Sequence, residues 1–304
     1  MLTIVSHDAG GAEILSSYVR QQRPACQFVL AGPARSIFKR KLGPIAERTL
    51  DEALASAGRM LCGTSWQSDL EVEAIRGAAA KGIPSAAFLD HWVHYRERFT
   101  RDGRWSLPDE IWVGDRSAER LAREVFPGHE IRFVANPYFE DLRLEIAAFA
   151  TAAPAHDEGL SVLYVCEPIR EHALKQHGNE YHWGYGEEDA LRFFLRHLPA
   201  LGSRVRQIVV RPHPSETRDK YDWAPQEFQV PITIGGSATL LQEVAASDIV
   251  VGCQSMAMFA GVLAGKRVVS SIPPGGPACA LPQPEIESLR ALVAGSGSDH
   301  EVLP

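Results

Sequence analysis

No stretch of this chain approaches the roughly 18 consecutive apolar residues that a membrane-crossing helix needs. The nearest, MAMFAGVLAG at 256–265, reads as a buried helix. The N-terminus has no basic segment followed by an apolar one, so no secretory leader is expected. The five cysteines, at 26, 62, 166, 253 and 279, include no CxxC pair and make an odd total. That excludes a disulfide framework and matches reduced core thiols of a cytoplasmic protein. Positive charge is not in excess either: the formal net charge is -7 and the pI near 5.9. This excludes a non-specific nucleic-acid binder and supplies no polybasic membrane patch, so any peripheral membrane association would rest on a local feature. GxGxxG and GxxxxGK[ST] are both absent, which removes the dinucleotide fingerprint and the P-loop.

What is present is the length and composition of a globular protein: 304 residues, 45% hydrophobic and 23% charged, enough for two domains with a core each. Short β-rich runs alternate with helical patterns from end to end, the signature of an α/β fold. The first half reads as strands at 2–6, 26–31, 59–62, 84–89, 110–113 and 130–134, with helices at 11–22, 34–42, 67–81 and 115–125. CQFVLAG, SAAFLD, EIWVG and IRFVAN are continuously apolar and end in turn residues, as strands buried on both faces do. The helical stretch FEDLRLEIAAFA leads to TAAPAHDEG, small, polar and Pro-containing.

The alternation restarts at SVLYVCEP (161–168). A long polar insertion to 186 precedes a helix at 187–200, the strand QIVVRPHP and a short helix near 215–221. Strand FQVPITI, helix 237–246, strand DIVVGC, helix 255–264, strand RVVSSIPP and a last helix near 284–294 complete it. The expected organisation is two Rossmann-like domains facing a central cleft, at 1–150 and 161–304, joined by a linker at 151–160.

Polar side chains crowd the strand ends, where open α/β sheets bind ligands. In LTIVSHDAGGAEIL, Ser6, His7 and Asp8 lie past the first strand and Gly10 and Gly11 can form an amide-lined loop. His7 or Asp8 could deprotonate a hydroxyl; alternatively Asp8 caps the helix and His7 packs on the sheet. In AAFLDHWVHYRERF, Asp90 and His91 supply a base and its partner. There Trp92 and Tyr95 offer stacking faces, and Arg96 or Arg98 could hold a substrate carboxylate.

In VVRPHPSE, Arg211 ends a strand, two prolines stiffen the presentation of His213, and Ser215 and Glu216 can cap the next helix. The alternative is a rigid turn with a solvated histidine. In SDIVVGCQSMAMFAG the chain turns at Gly252 through Cys253, Gln254 and Ser255 into an apolar helix, where free amides and a hydroxyl can hold a phosphate. An ordinary cap by Ser255 explains that residue equally well. The insertion EPIREHALKQHGNEYHWGYGEED carries Glu167, His172, His177 and His182 with Tyr181, Trp183 and Tyr185. Its spacings match no zinc pattern, and it reads as a polar loop or subunit contact.

The RPHP turn, with DIVVGCQSMAMFAGVLAGKRVVS downstream of it, resembles the C-terminal domain of GT-B-fold glycosyltransferases over roughly 206–271. It is most similar to bacterial capsule and lipopolysaccharide enzymes of sialyltransferase-like, Kdo-transferase-like and CDP-glycerol phosphotransferase-like types. In such sialyltransferases an HP motif and a downstream Ser/Thr motif contact the donor phosphate. The resemblance therefore implies that His213-Pro214 and Ser255, with Arg211, Glu216, Gly252 and Gln254 beside them, bind a nucleotide, with Gly10 and Gly11 lining the opposite wall. It further implies a CMP-linked donor sugar, a surface glycan or glycolipid acceptor, and no bound metal or other cofactor. Asp8, Asp90 and His91 are then the catalytic candidates, and His7, Tyr95 and Arg98 the substrate contacts. The Asp/Glu-Asp-Gly tripeptide that carries the base in those sialyltransferases is absent here. UDP-sugar 2-epimerases and hydrolases share the fold, and a non-catalytic nucleotide-binding or scaffold protein is the alternative outside enzymes.

Overall fold

Leu2–Ser6 (β1) opens the chain with four of five residues buried, as befits a strand covered on both faces. The structure, a computed structural model, describes residues 1–149 and 159–296. The chain divides into two units, Met1–Asp141 and Leu142–Pro304.

In the first unit β1 leads to α1 (Ala9–Gln22), β2 (Cys26–Leu30), α2 (Ala34–Leu42), α3 (Leu50–Ala55), β3 (Arg59–Cys62), α4 (Leu70–Ala80) and β4 (Ser85–Leu89). Then come α5 (Tyr95–Arg98), β5 (Thr100–Arg101), β6 (Arg104–Trp105), β7 (Glu110–Val113), α6 (Arg116–Val125), β8 (Ile131–Phe133) and the start of α7 (Pro137–Phe149), which runs on into the second unit. Six strands form one parallel sheet in the order β2-β1-β3-β4-β7-β8, with β5 and β6 a separate hairpin. Ile4, Leu15, Phe38, Leu61, Phe88 and Trp112 lie in its core.

The second unit contains β9 (Leu160–Val165), α8 (Ile169–His177), α9 (Glu187–Arg196), β10 (Val205–Arg211), α10 (Ala224–Glu227), β11 (Ile232–Ile234) and α11 (Leu240–Ala245). It ends with β12 (Ile249–Gly252), α12 (Met256–Leu263), β13 (Arg267–Ser270), β14 (Ile286–Ser288) and α13 (Leu289–Ser296). Its parallel sheet runs β11-β10-β9-β12-β13-β14. Tyr164, Phe194, Val210, Tyr221 and Val251 fill the core.

Both sheets are Rossmann-like, and each has a switch point where strand order reverses: between β1 and β3 in the first unit, and between β9 and β12 in the second. The crevice outside the carboxyl ends there is where open α/β sheets take ligands.

Three expectations need correction. The insertion to 186 is not one polar loop: Ile169 and Ala173 bury one side of α8, and Tyr185 is buried with Ile272 and Cys253. The last helix begins only at Leu289, because Ile286–Ser288 pairs with β13 as an edge strand. The division falls inside α7, because Asp141 is tied to α1 through Ser17 Oγ (2.5 Å), Gln21 Nε2 (3.0 Å) and Arg20. The expected linker at 151–160 lies almost wholly outside the described residues. Among the described residues no helix is long and apolar enough to cross a membrane.

Candidate functional site

β1 ends at Ser6, and the chain then turns sharply into α1. Asp8 occupies the N-cap position with extended backbone, yet its side chain makes no capping hydrogen bond. Instead Asp8 Oδ1 lies 2.7 Å from His7 Nδ1, with side-chain exposures of 23% and 29%. The cap reading of Asp8 is thus not what the chain does; the two side chains form a dyad at the first switch point. Glycine at 32 is required beside it, because a Cβ there would fall 2.7 Å from His7 Nε2.

The dyad is held from below by Glu71 of α4, which is fully buried. Its Oε1 accepts the His7 backbone N–H at 2.7 Å, while Oε2 is buried without a partner. Burial pushes its carboxyl up to about 7, against the His7 amide, which pulls the other way. Ser6 Oγ is also buried and unpartnered, beside the close approach of Gly11 to Gly63. Glycine at 10 also serves packing, because a Cβ there would collide with Asp90 Oδ2.

Asp90 and His91 do not form the expected base pair. Asp90 Oδ1 binds the Arg98 guanidinium and accepts from Thr64 Oγ1 at 3.1 Å, with Asp90 and Arg98 only 9% and 5% exposed. Arg98 also donates to Thr64 Oγ1 at 2.8 Å and to Val93 O at 3.2 Å. It is therefore a buried partner of Asp90, not a free hand for a substrate carboxylate. His91 Nδ1 accepts the Trp92 amide at 2.9 Å, and burial lowers the imidazole pKa. Tyr95 and Trp92 are buried too, Tyr95 stacking on Phe126, so neither offers a sugar face.

In the second unit His213 lies just past β10. Its Nδ1 accepts the Ser215 amide at 3.2 Å and lies 2.8 Å from Ser215 Oγ. With Nδ1 accepting, the proton of the neutral ring sits on Nε2, ready to be donated. Glu216 is engaged within the chain. Its Oε2 accepts the His213 N–H (2.9 Å) and its Oε1 accepts from Lys220 (2.8 Å) and Tyr221 (2.9 Å), so it braces the histidine. Arg211 is paired with Glu243 at 2.6 Å and donates to Ala238 O at 3.0 Å.

Gly252 is a packing glycine, with Val165 and Met258 where a Cβ would stand. Ser255 caps α12 by accepting the Ala257 N–H at 3.1 Å, the bland alternative. The amides that the sequence offers to a phosphate hold the chain's own carboxylate: Glu167 Oε1 accepts Cys253 N–H (3.1 Å) and Gln254 N–H (2.7 Å). That contact bridges β9 to β12 across the second switch point. Burial raises the Glu167 carboxyl to about 7, opposed by these amides.

His172, His177 and His182 are spread along an exposed surface, with His177 and His182 stacked at 3.7 Å. Among the described residues no group of three or more His, Cys, Asp or Glu is placed to hold a metal ion. Glu71 was missed by sequence reading. The signal was there, because it shares the buried stripe of α4 with Ile75 and Ala78, where an acid is out of place.

No family model matches the chain, and no curated protein matches it in sequence. Solved structures share its fold. MurG from Acinetobacter baumannii is 12% identical with a TM-score of 0.54, covering 98% of this chain and 89% of its own. UDP-GlcNAc 2-epimerase from Neisseria meningitidis, bound to UDP-GlcNAc, is 13% identical with a TM-score of 0.57, covering 88% and 81%. The enzyme of that name from Methanocaldococcus jannaschii is 12% identical with a TM-score of 0.55, covering 88% and 83%. At these identities the likeness shows the fold, and the fold is GT-B-like.

Proposed function

We propose that the chain is a glycosyltransferase that moves a sugar from a CMP-linked donor to a surface glycan or glycolipid on the cytoplasmic side. The observation that carries this reading is the His7–Asp8 dyad, an aspartate turned away from its cap amides onto an imidazole at a switch point. His7 Nε2 takes the proton of the acceptor hydroxyl while Asp8 fixes the ring and stabilises the imidazolium. Asp90 and Arg98 then hold the loop rather than react. On the donor side, His213 Nε2–H is offered to the phosphate of the departing nucleotide, braced by Glu216 and Ser215. The leaving-group charge is met by such protein donors without a metal. What supports cytidine is the RPHP and Ser255 resemblance alone.

One observation favours a nucleotide-sugar 2-epimerase or hydrolase instead. Glu167, raised to about 7 at the second switch point, suits a group that moves protons on a bound substrate. Thermal shifts with CMP, CDP, UDP and GDP, repeated in His213→Ala, test the donor site. A ligand at a hundred times its Kd adds about 2.7 kcal/mol. Stabilisation by CMP or CDP, lost in the variant, supports the reading; stabilisation by UDP alone, with nucleotide released in the absence of acceptor, supports epimerase or hydrolase chemistry. No response to any nucleotide overturns both.

A further inference from the structure

Among the aromatics near the carboxyl edge of the first sheet, Trp92 and Tyr95 are buried, whereas Trp66 is 44% exposed. It stacks on the exposed ring of His94, with centroids 5.0 Å apart and planes 26° apart. Trp66 lies on the loop after β3, which flanks the first switch point; His94 lies on the loop after the adjacent β4. We propose that Trp66 and His94 form a stacking platform for one pyranose ring of an uncharged acceptor glycan. The proposal rests on the transferase reading and names its acceptor subsite.

Both halves of the platform are built in advance. Ser65 Oγ accepts the amides of Gln67 (3.0 Å) and Ser68 (2.9 Å), and Arg101 donates to Ser65 O at 3.1 Å and to Ser68 O, fixing the Trp66 loop. His94 sits in the left-handed region with φ 58°, a conformation that costs energy in a residue with a side chain. It is locked there by two buried residues of α5, Tyr95 and Arg98, the latter tied to Asp90. Holding a strained backbone so that an imidazole lies along an exposed indole does nothing for the core.

The local charge selects the ligand. The acids of the neighbouring segments are themselves engaged: Asp8 with His7, Asp69 with Arg101 and Asp90 with Arg98, while Glu71 is buried. Of the nearby cations among the described residues, Arg98 is consumed by Asp90, Arg101 by Asp69, and Arg96 lies over Trp105. A phosphate or carboxylate would find each of these arginines already engaged, so this edge offers an anion no ion pair. A neutral pyranose needs no such partner, because it presents an apolar C–H face to the rings.

The test is saturation-transfer NMR on the full chain with lactose and with N,N′-diacetylchitobiose, without nucleotide, alongside a CMP thermal shift. The expected result is transfer to the ring protons of at least one disaccharide, weakened about fivefold in affinity by Trp66→Ala. His94→Gly should weaken it too, with the CMP response unchanged in both variants. Equal transfer in wild type and Trp66→Ala, or none from either disaccharide, overturns the platform. Transfer to the cytosine ring of CMP that depends on Trp66 also overturns it, in favour of a base-stacking site. Disaccharide binding without any nucleotide response keeps the platform and sinks the transferase reading; the reverse sinks the platform alone.

Discussion

A side chain at an N-cap ordinarily satisfies a free amide, worth about 1 kcal/mol, and Asp8 forgoes that to hold the His7 ring. Asp90, the other acid considered as a base, is engaged in the opposite way, buried against Arg98 and Thr64. The two therefore separate experimentally. Asp8→Asn and His7→Ala should lower kcat by about 10²–10⁴ with little change in Tm. Asp90→Ala should cost about 3–5 kcal/mol in urea unfolding, because it strands a buried guanidinium. If Asp90→Ala kept full stability and lost only turnover, the roles would be reversed. Glu71 adds a pH signature. Its folded carboxyl stands near 7 against an ordinary 4.5, so between those values the folded protein keeps a proton that the unfolded chain has lost. Stability is then fully present below about 4.5 and lost as pH rises through 7, by up to about 3 kcal/mol. Glu71→Gln should remove that part of the slope between pH 5 and 8, read from unfolding curves at each pH.

At the scale of elements, strands were the most legible feature, because runs such as IVV and AAFL are apolar on both faces and end in turn residues. β14 was not, since Ile-Glu-Ser at a sheet edge has no apolar run to show. α8 was not either, with only Ile169 and Ala173 turned inward. The site was legible as a location, not as a set of partners. Ser6-His7-Asp8 and Arg-Pro-His-Pro were visible at their strand ends. That Arg98 would be spent on Asp90, Glu216 on the His213 amide, or Trp66 left open in place of Trp92 depends on contacts between loops of different strands, which no local pattern encodes. The start of α12 illustrates it best. Its amides look like a phosphate cradle in sequence, and Glu167 fills them. Glu167→Ala should leave the Cys253 and Gln254 amides without their acceptor and cost about 1–3 kcal/mol, whereas Glu167→Gln, which keeps an oxygen in place, should cost less. Equal losses in the two variants, measured by chemical unfolding, would mean that the carboxylate charge rather than the hydrogen bonds matters there.

At the scale of the whole molecule, the two units have similar Rossmann-like sheets but different chemistry at their switch points. The first carries a dyad at the end of β1 with an aromatic pair on the neighbouring loops; the second carries a braced histidine after β10 and a carboxyl bridging β9 to β12. Among the described residues each also holds one glutamate raised to about 7, Glu71 and Glu167, so the part of a pH slope that survives Glu71→Gln but is lost in Glu167→Gln belongs to the second unit. If the units divide the labour as proposed, donor in the second and acceptor in the first, their ligands must leave different footprints. Amide hydrogen exchange reads this directly, because a ligand bound to a loop makes the openings that expose its amides rarer. CMP should slow exchange most at His213–Glu216 and Cys253–Ala257, and a neutral disaccharide most at Gly63–Asp69 and Asp90–Tyr95. CMP protection centred on the loops after β1 and β3 would move the donor to the first unit and reverse the assignment.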